Sequence, residues 1–197
     1  MKRHILSSIL LFALLLTACG RSAQPGSQSA KQSQPADASS ETGKIVFTDA
    51  LGQEFSIDPP RRAVVMIGSF ADVWVLAGGE DVLAATANDA WESYGLELGE
   101  KVVNIGSPMK PNVELVLGAE PDLIIASSLS PSNLELKETF DSAGIPAAYF
   151  DVSSFQDYLD LLELFTRLTG HPERYAQNRT AVQEQVDDAK PRASLRS

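Results

Sequence analysis

Val64-Val65-Met66-Ile67 and Asp122-Leu123-Ile124-Ile125-Ala126 are apolar runs of strand length, and their reading decides the fold. Neither alternates with polar residues, so both faces of each strand must be covered, as in a parallel sheet. Each run leads into a helical stretch. After the first, Gly68-Ser69 opens a helix over Phe70 to Ala77 that Gly78-Gly79 stops. After the second, Ser132 precedes a helix through Ala143 that Gly144 closes. Between them Val82 to Ala85 and Val102 to Ile105 predict strands, and Asn112 caps a short helix through Leu117. Ala147 to Phe150 supplies a last strand. Strands alternating with helices predict an α/β fold, a three-layer α/β/α lobe with a mainly parallel sheet.

Upstream, Ile45 to Thr48 and Glu54 to Ile57 flank a Gly-bearing turn and predict a hairpin. Downstream, Ser154 caps a long helical stretch in which Phe155, Tyr158, Leu159, Leu162 and Phe165 form one apolar stripe, with Tyr158, Leu162 and Phe165 assigned to the core. Gly170-His171-Pro172 interrupts the stretch, and a second piece carrying Tyr175, Val182, Val186 and Ala189 on one face ends before Pro191. At about 1.5 Å per residue the two pieces cover roughly 50 Å, too long to pack against one small lobe alone.

In parallel sheets ligands collect outside the carboxyl ends of the strands, where loops and helix N-termini converge. That rule places Ser69 and Phe70, Asn88 to Tyr94, Gly106 to Lys110 and Ser127 to Leu129 on the ligand edge, and Arg61 and Arg62 on the opposite one. On that edge Ser69, Phe70, Trp91, Tyr94, Ser107, Met109, Lys110 and Ser128 are the candidates to contact a ligand: aromatic faces, hydroxyls and one cation suit a shallow binding pocket.

The N-terminus reads differently. Lys2, Arg3 and His4 precede an apolar run from Ile5 to Leu16, too short to span a bilayer, which needs about 20 residues, and of the length of an export leader. Gly20 to Gly43 is Ser-, Gln-, Ala- and Pro-rich and predicts a disordered tether. The expected organisation is a leader over 1–18, a tether over 19–43, a ligand-binding lobe over 44–153, a helical segment over 154–190 and the start of a second lobe over 191–197.

Composition excludes several function classes. The 197 residues hold 26 acidic against 16 basic side chains, and loss of the leader takes away Lys2 and Arg3, moving the net charge from −10 to −12. Nucleic acid is a poor partner for such a chain, because phosphate binding needs clustered cations. The single cysteine, Cys19, excludes a disulfide framework or a thiolate metal site built by this chain, and His4 and His171 are too few for direct metal capture. Neither a Gly-x-Ser-x-Gly elbow nor a Gly-rich phosphate loop is present, and no pair of carboxylates is singled out for glycoside hydrolysis.

Several motifs taken together resemble one family. Leu16-Thr17-Ala18-Cys19 followed by Gly20 resembles a bacterial lipobox. With it come the Asp49-to-Phe55 hairpin, Pro59-Pro60-Arg61-Arg62-Ala63-Val64-Val65, Pro111-Asn112-Val113-Glu114-Leu115, Glu120-Pro121-Asp122 before the second apolar run, and Thr169-Gly170 after the long helix. Their order and spacing resemble the iron-complex and cobalamin class of ABC-transporter substrate-binding proteins (class III periplasmic binding proteins).

The resemblance implies lipidation of Cys19 and two α/β lobes joined by a long helix, of which this sequence holds the first lobe and the helix. It implies a membrane-anchored, extracytoplasmic protein that captures a ferric siderophore or haem, with cobalamin as the alternative, and delivers it to an ABC permease with its ATPase. It also implies that Glu114 meets permease arginines. The complex is cargo, so neither a resident cofactor nor a protein-bound metal is expected. Other readings are a permease-docking lobe that holds no ligand, and a surface-anchored hydrolase.

Overall fold

The computed structural model describes the backbone of residues 43–194 and the side chains of residues 43–184. The expected leader, Cys19 and nearly all of the tether lie outside the described residues.

β1 (Ile45–Thr48) and β2 (Glu54–Ile57) form the expected antiparallel hairpin, with Ile45 opposite Ile57 and Thr48 opposite Glu54. The Asp49 carboxylate accepts from the N–H groups of Leu51 and Gln53, both at 2.9 Å, which folds the turn without help from solvent. Its second oxygen accepts from the Tyr149 N–H at 3.1 Å, tying the hairpin to the main sheet.

That sheet contains β3 (Ala63–Val65), β4 (Leu83–Thr86), β5 (Val103–Asn104), β8 (Leu123–Ser127) and β9 (Ala147–Phe150) in the order β5-β4-β3-β8-β9, every pair parallel. Crossovers are made by α1 (Gly68–Leu76), the short α2 (Asp89–Glu92), α3 (Val113–Gly118) and the pair α4 (Pro131–Glu135) and α5 (Lys137–Ser142). On one face Val65, Ile125 and Ala148 pack with Trp74 of α1 and with Leu162 and Phe165 of α6 (Phe155–Leu168). On the other, Val64, Met66, Ile124 and Tyr149 pack with Val116 of α3 and Phe140 of α5. The strands read as unbroken apolar runs because alternate residues serve two separate cores. This is the three-layer α/β/α lobe expected from sequence.

Successive strands β3, β4 and β5 step outward in one direction, whereas β8 and β9 step outward in the other. The reversal lies between β3 and β8. Loops leaving their carboxyl ends therefore diverge and open a crevice.

Local differences from the sequence reading have physical causes. The strand expected over Val102–Ile105 is confined to Val103–Asn104 at the sheet edge, where only one neighbour supports it. Gly106 to Lys110, expected on the ligand edge, form with Pro111 a tight hairpin of β6 (Gly106–Ser107) and β7 (Lys110–Pro111). The helix expected from Ser132 to Ala143 breaks at Leu136, whose N–H bonds to Asn133 O with the shorter i→i+3 spacing.

Ser154 and Asp157 form a reciprocal capping box at the start of α6, with Asp157 N–H to Ser154 Oγ at 3.1 Å and Ser154 N–H to Asp157 Oδ2 at 2.7 Å. α7 (Glu173–Ser194) continues past Pro191, where an end was expected, since a proline removes one helical hydrogen bond without abolishing the others. Tyr175 packs against the core and Asn178 donates to Leu76 O at 3.0 Å, which anchors the first half of α7. Among the described residues no helix is long and apolar enough to cross a membrane.

Candidate functional site

A cavity of about 410 Å³ opens at the point of reversal. Its walls come from the loop and first turn after β3 (Ile67, Ser69, Phe70, Asp72, Val73), from the end of β8 (Ser127, Leu129), and from Val152, Tyr158 and Leu161 around the start of α6, with Tyr94 at the mouth. α6 follows directly on β9, so its first turns stand over the carboxyl edge of the sheet and contribute Tyr158. The lining is mainly apolar and aromatic with a few convergent polar groups, the usual character of a small-molecule site.

Local chemistry holds the walls in place. Both carboxylate oxygens of Asp89 lie 2.9 and 3.0 Å from the Gly68 N–H, so a side chain from the next crossover occupies the first amide of α1. A Cβ on Gly68 would come within 2.6 Å of the Ala90 nitrogen, and only glycine permits this approach. Across the crevice, the buried Asn133 side chain accepts from the Ser127 N–H at 3.0 Å, and Ser127 Oγ accepts from the Leu129 N–H at 3.2 Å. Burial pushes the Asp72 carboxyl above its ordinary range. Burial also raises the Tyr158 hydroxyl, and the Asp72 charge adds to that effect, so the two groups share one environment.

A larger groove of about 510 Å³ runs between the β1–β2 turn and α6 and is rich in carboxylates, including Asp49, Asp151, Asp157, Asp160 and Glu163. Two of these acids are committed to the fold. Asp49 serves Leu51, Gln53 and Tyr149, and Asp157 serves Ser153 and Ser154. The smaller cavity keeps free polar groups and sits where the topology predicts a ligand, so it is the better candidate.

Of the residues expected at the site, Ser69 and Tyr94 line this cavity, and Phe70 borders it from the core, where it is buried. Ser128 lies beside it, its hydroxyl donating to Phe150 O at 3.2 Å, while its neighbours Ser127 and Leu129 form the wall. Trp91 instead packs half-buried against the hydrophobic core. Ser107, Met109 and Lys110 sit on the β6–β7 hairpin, outside the cavity walls, because pairing of those short strands turns the segment away. Met109 is 82% exposed at its tip, and Ser132 Oγ holds the turn to α4 by a 2.8 Å bond to Pro108 O.

Glu114 is exposed in the first turn of α3, where Asn112 Oδ1 accepts from the Glu114 and Leu115 N–H groups at 3.0 and 3.3 Å. Arg61 and Arg62 lie on the far edge as expected, their N–H groups held by the Asp122 carboxylate at 2.8 and 3.0 Å. His171 sits against Gly78 beyond the C-terminal end of α1, the end remote from the cavity serines.

Sequence reasoning missed Asp72, and its core residue Tyr158 packs against the core while also lining the cavity. Leu162 and Phe165 of the same stripe are fully buried, but Tyr158, nearer the helix start, is half-buried and faces the crevice. Asp72 had a visible signal, being the lone charge in the otherwise apolar Gly68–Leu76 helix.

Comparison with known proteins bears on the fold and the family. An uncharacterized ABC transporter substrate-binding lipoprotein of Bacillus subtilis, YvrC, is 28% identical over 193 residues, covering 96% of this chain and 58% of its own length. YfiY, a probable siderophore-binding lipoprotein of the same organism, is 30% identical over 132 residues, covering 66% of this chain and 38% of its own. The chain thus spans little more than half the length of the first of these relatives. The crystal structure of the petrobactin-binding protein YclQ of B. subtilis superposes with a TM-score of 0.65 at 19% identity, over 75% of this chain and 53% of that one. The family model described as periplasmic binding protein matches residues 64–195, from the first buried strand into α7, and the chain belongs to that family.

Proposed function

We propose that this chain forms the ligand-capturing part of the extracytoplasmic substrate-binding component of an ABC importer. It takes up a ferric siderophore or haem and presents it to the permease. The observation that carries this reading is the cavity at the reversal point of the parallel sheet, walled by Phe70, Tyr94 and Tyr158 with the Ser69 and Ser127 hydroxyls among them. Such a surface grips a large, partly apolar complex by stacking and hydrogen bonding, and a carrier requires no more. The complex is cargo, and the reading invokes no resident cofactor and no catalytic step. The names of the similar lipoproteins support transport as the role and siderophores as a cargo class.

Anchoring through lipidated Cys19 and docking through Glu114 complete the proposal. An acid in the first turn of α3 is favoured by the helix dipole, and its exposure leaves the carboxylate available to a permease arginine. Titration of the full chain with ferric siderophores, haem and cyanocobalamin, followed by calorimetry and tryptophan fluorescence, tests capture. Saturable binding of an iron complex supports the reading. Binding of cyanocobalamin alone moves the cargo to corrinoids, and turnover of an ester or glycoside without binding of these complexes defeats it. Cys19→Ala should release the protein from the membrane fraction, and retention there would defeat the anchor. Glu114→Ala should impair uptake in cells while leaving ligand affinity unchanged, and undiminished uptake would remove the docking role.

A further inference from the structure

We infer that the cavity selects its cargo by charge, with Asp72 as the specificity-determining residue, and that it takes cationic ferric complexes in preference to anionic ones. This rests on the capture function proposed above and narrows it to a ligand class. Asp72 is the one charged side chain among the described residues lining the cavity. The place where an anion would ordinarily be held, the N-terminus of the helix at the reversal point, is occupied from within. Asp89 spans the Gly68 N–H with both oxygens at 2.9 and 3.0 Å, so the first amide of α1 is taken and a carboxylate already faces the positive end of its dipole. Lys110, which the sequence offered as a partner for an anionic ligand, stands on the β6–β7 hairpin outside the walls.

The cavity wall therefore carries a single negative charge, that of Asp72, and the net charge of −10 adds a long-range field of the same sign. Burial disfavours the ionised form of Asp72, and a bound ammonium or amide donor offsets that cost, whereas a catecholate or a propionate adds to it. Tyr158, beside Asp72, offers a ring face and a hydroxyl to the same ligand.

The test is a set of titrations of the full chain with three ferric complexes of different charge: ferrioxamine B, which carries a free ammonium; neutral ferrichrome; and anionic ferric enterobactin. Haem is a fourth probe. The wild-type chain should bind ferrioxamine B about tenfold or more tightly than ferric enterobactin or haem, the margin expected of a charge-assisted hydrogen bond over like-charge repulsion. Asp72→Asn, nearly isosteric, should reduce affinity for ferrioxamine B about tenfold and leave ferrichrome unchanged, and Asp72→Lys should turn the preference toward ferric enterobactin. Ferric enterobactin or haem binding as tightly as ferrioxamine B, or a ranking indifferent to both substitutions, overturns charge selection while the capture function stands. Failure of every probe, cyanocobalamin included, overturns capture and with it this inference.

Discussion

Asn133→Ala tests the architecture of the cavity wall. Asn133 is fully buried in α4, its Oδ1 accepts the Ser127 N–H at 3.0 Å, and its own carbonyl accepts the Tyr149 hydroxyl at 3.3 Å. Truncation leaves the Ser127 N–H buried without a partner, a cost of about 1–3 kcal/mol. The void left by the amide adds about 1 kcal/mol. Against this, Nδ2 makes no hydrogen bond within the described residues, and its removal returns about 1 kcal/mol of desolvation cost. The net loss is about 2 kcal/mol, or a fall in Tm of about 4–8 °C for a chain of this size. Because Ser127 and Leu129 form the wall, affinity for the iron complex should weaken several-fold in the same variant. Thermal unfolding by circular dichroism, with calorimetric titration at a temperature where both proteins are folded, reads both effects. A variant within about 0.5 kcal/mol of wild type would show that Asn133 is not what holds the wall.

Gly79→Ala should cost about 1–3 kcal/mol or more, because the new Cβ would reach within 2.5 Å of Trp74 Cδ1 while the fully buried indole donates to Gly79 O at 2.8 Å; an unchanged denaturant midpoint would contradict this packing. Asp72→Asn should raise stability at neutral pH. The carboxyl is pushed up by burial, so the stability it contributes is present at low pH and lost as pH rises through its folded value, and the advantage of the variant should vanish in acid. Asp157 carries the opposite sign. Its hydrogen bonds from Ser154 and Ser153 hold it below the usual range, so it stabilises at neutral pH, and Asp157→Ala should approach wild type as pH falls. Melts recorded from neutral to acid pH separate the two, and parallel profiles for both variants would refute the assignment. Tyr94→Ala, at a side chain 45% exposed at the cavity mouth, should weaken ligand binding with little change in Tm, and a large loss of stability would place Tyr94 in the core instead.

Much of this protein is settled by local sequence. The two apolar runs at Val64 and Asp122 could become little else than covered parallel strands, and Asn112, Ser154 and the glycines after the helices mark their own boundaries through caps and turns. The ligand edge follows as well, since it depends only on the direction of strands whose order along the chain is plain. Ser69, Phe70 and Tyr94, placed on that edge, border the cavity.

What remained hidden depends on contacts between distant segments. The β6–β7 hairpin carries Ser107, Met109 and Lys110 away from the cavity because two-residue strands pair across Pro108-Met109, a choice that no periodicity announces. Tyr158 belongs to the cavity and Phe165 to the core of one and the same stripe, because α6 begins over the sheet edge and then runs across the buried face. Asp89 reaches Gly68 from 21 residues away, and only that meeting takes up the first amide of α1 at the rim of the cavity. Local sequence specifies elements through short-range sterics and hydrogen bonds, whereas the character of the site arises where the ends of several elements converge in space.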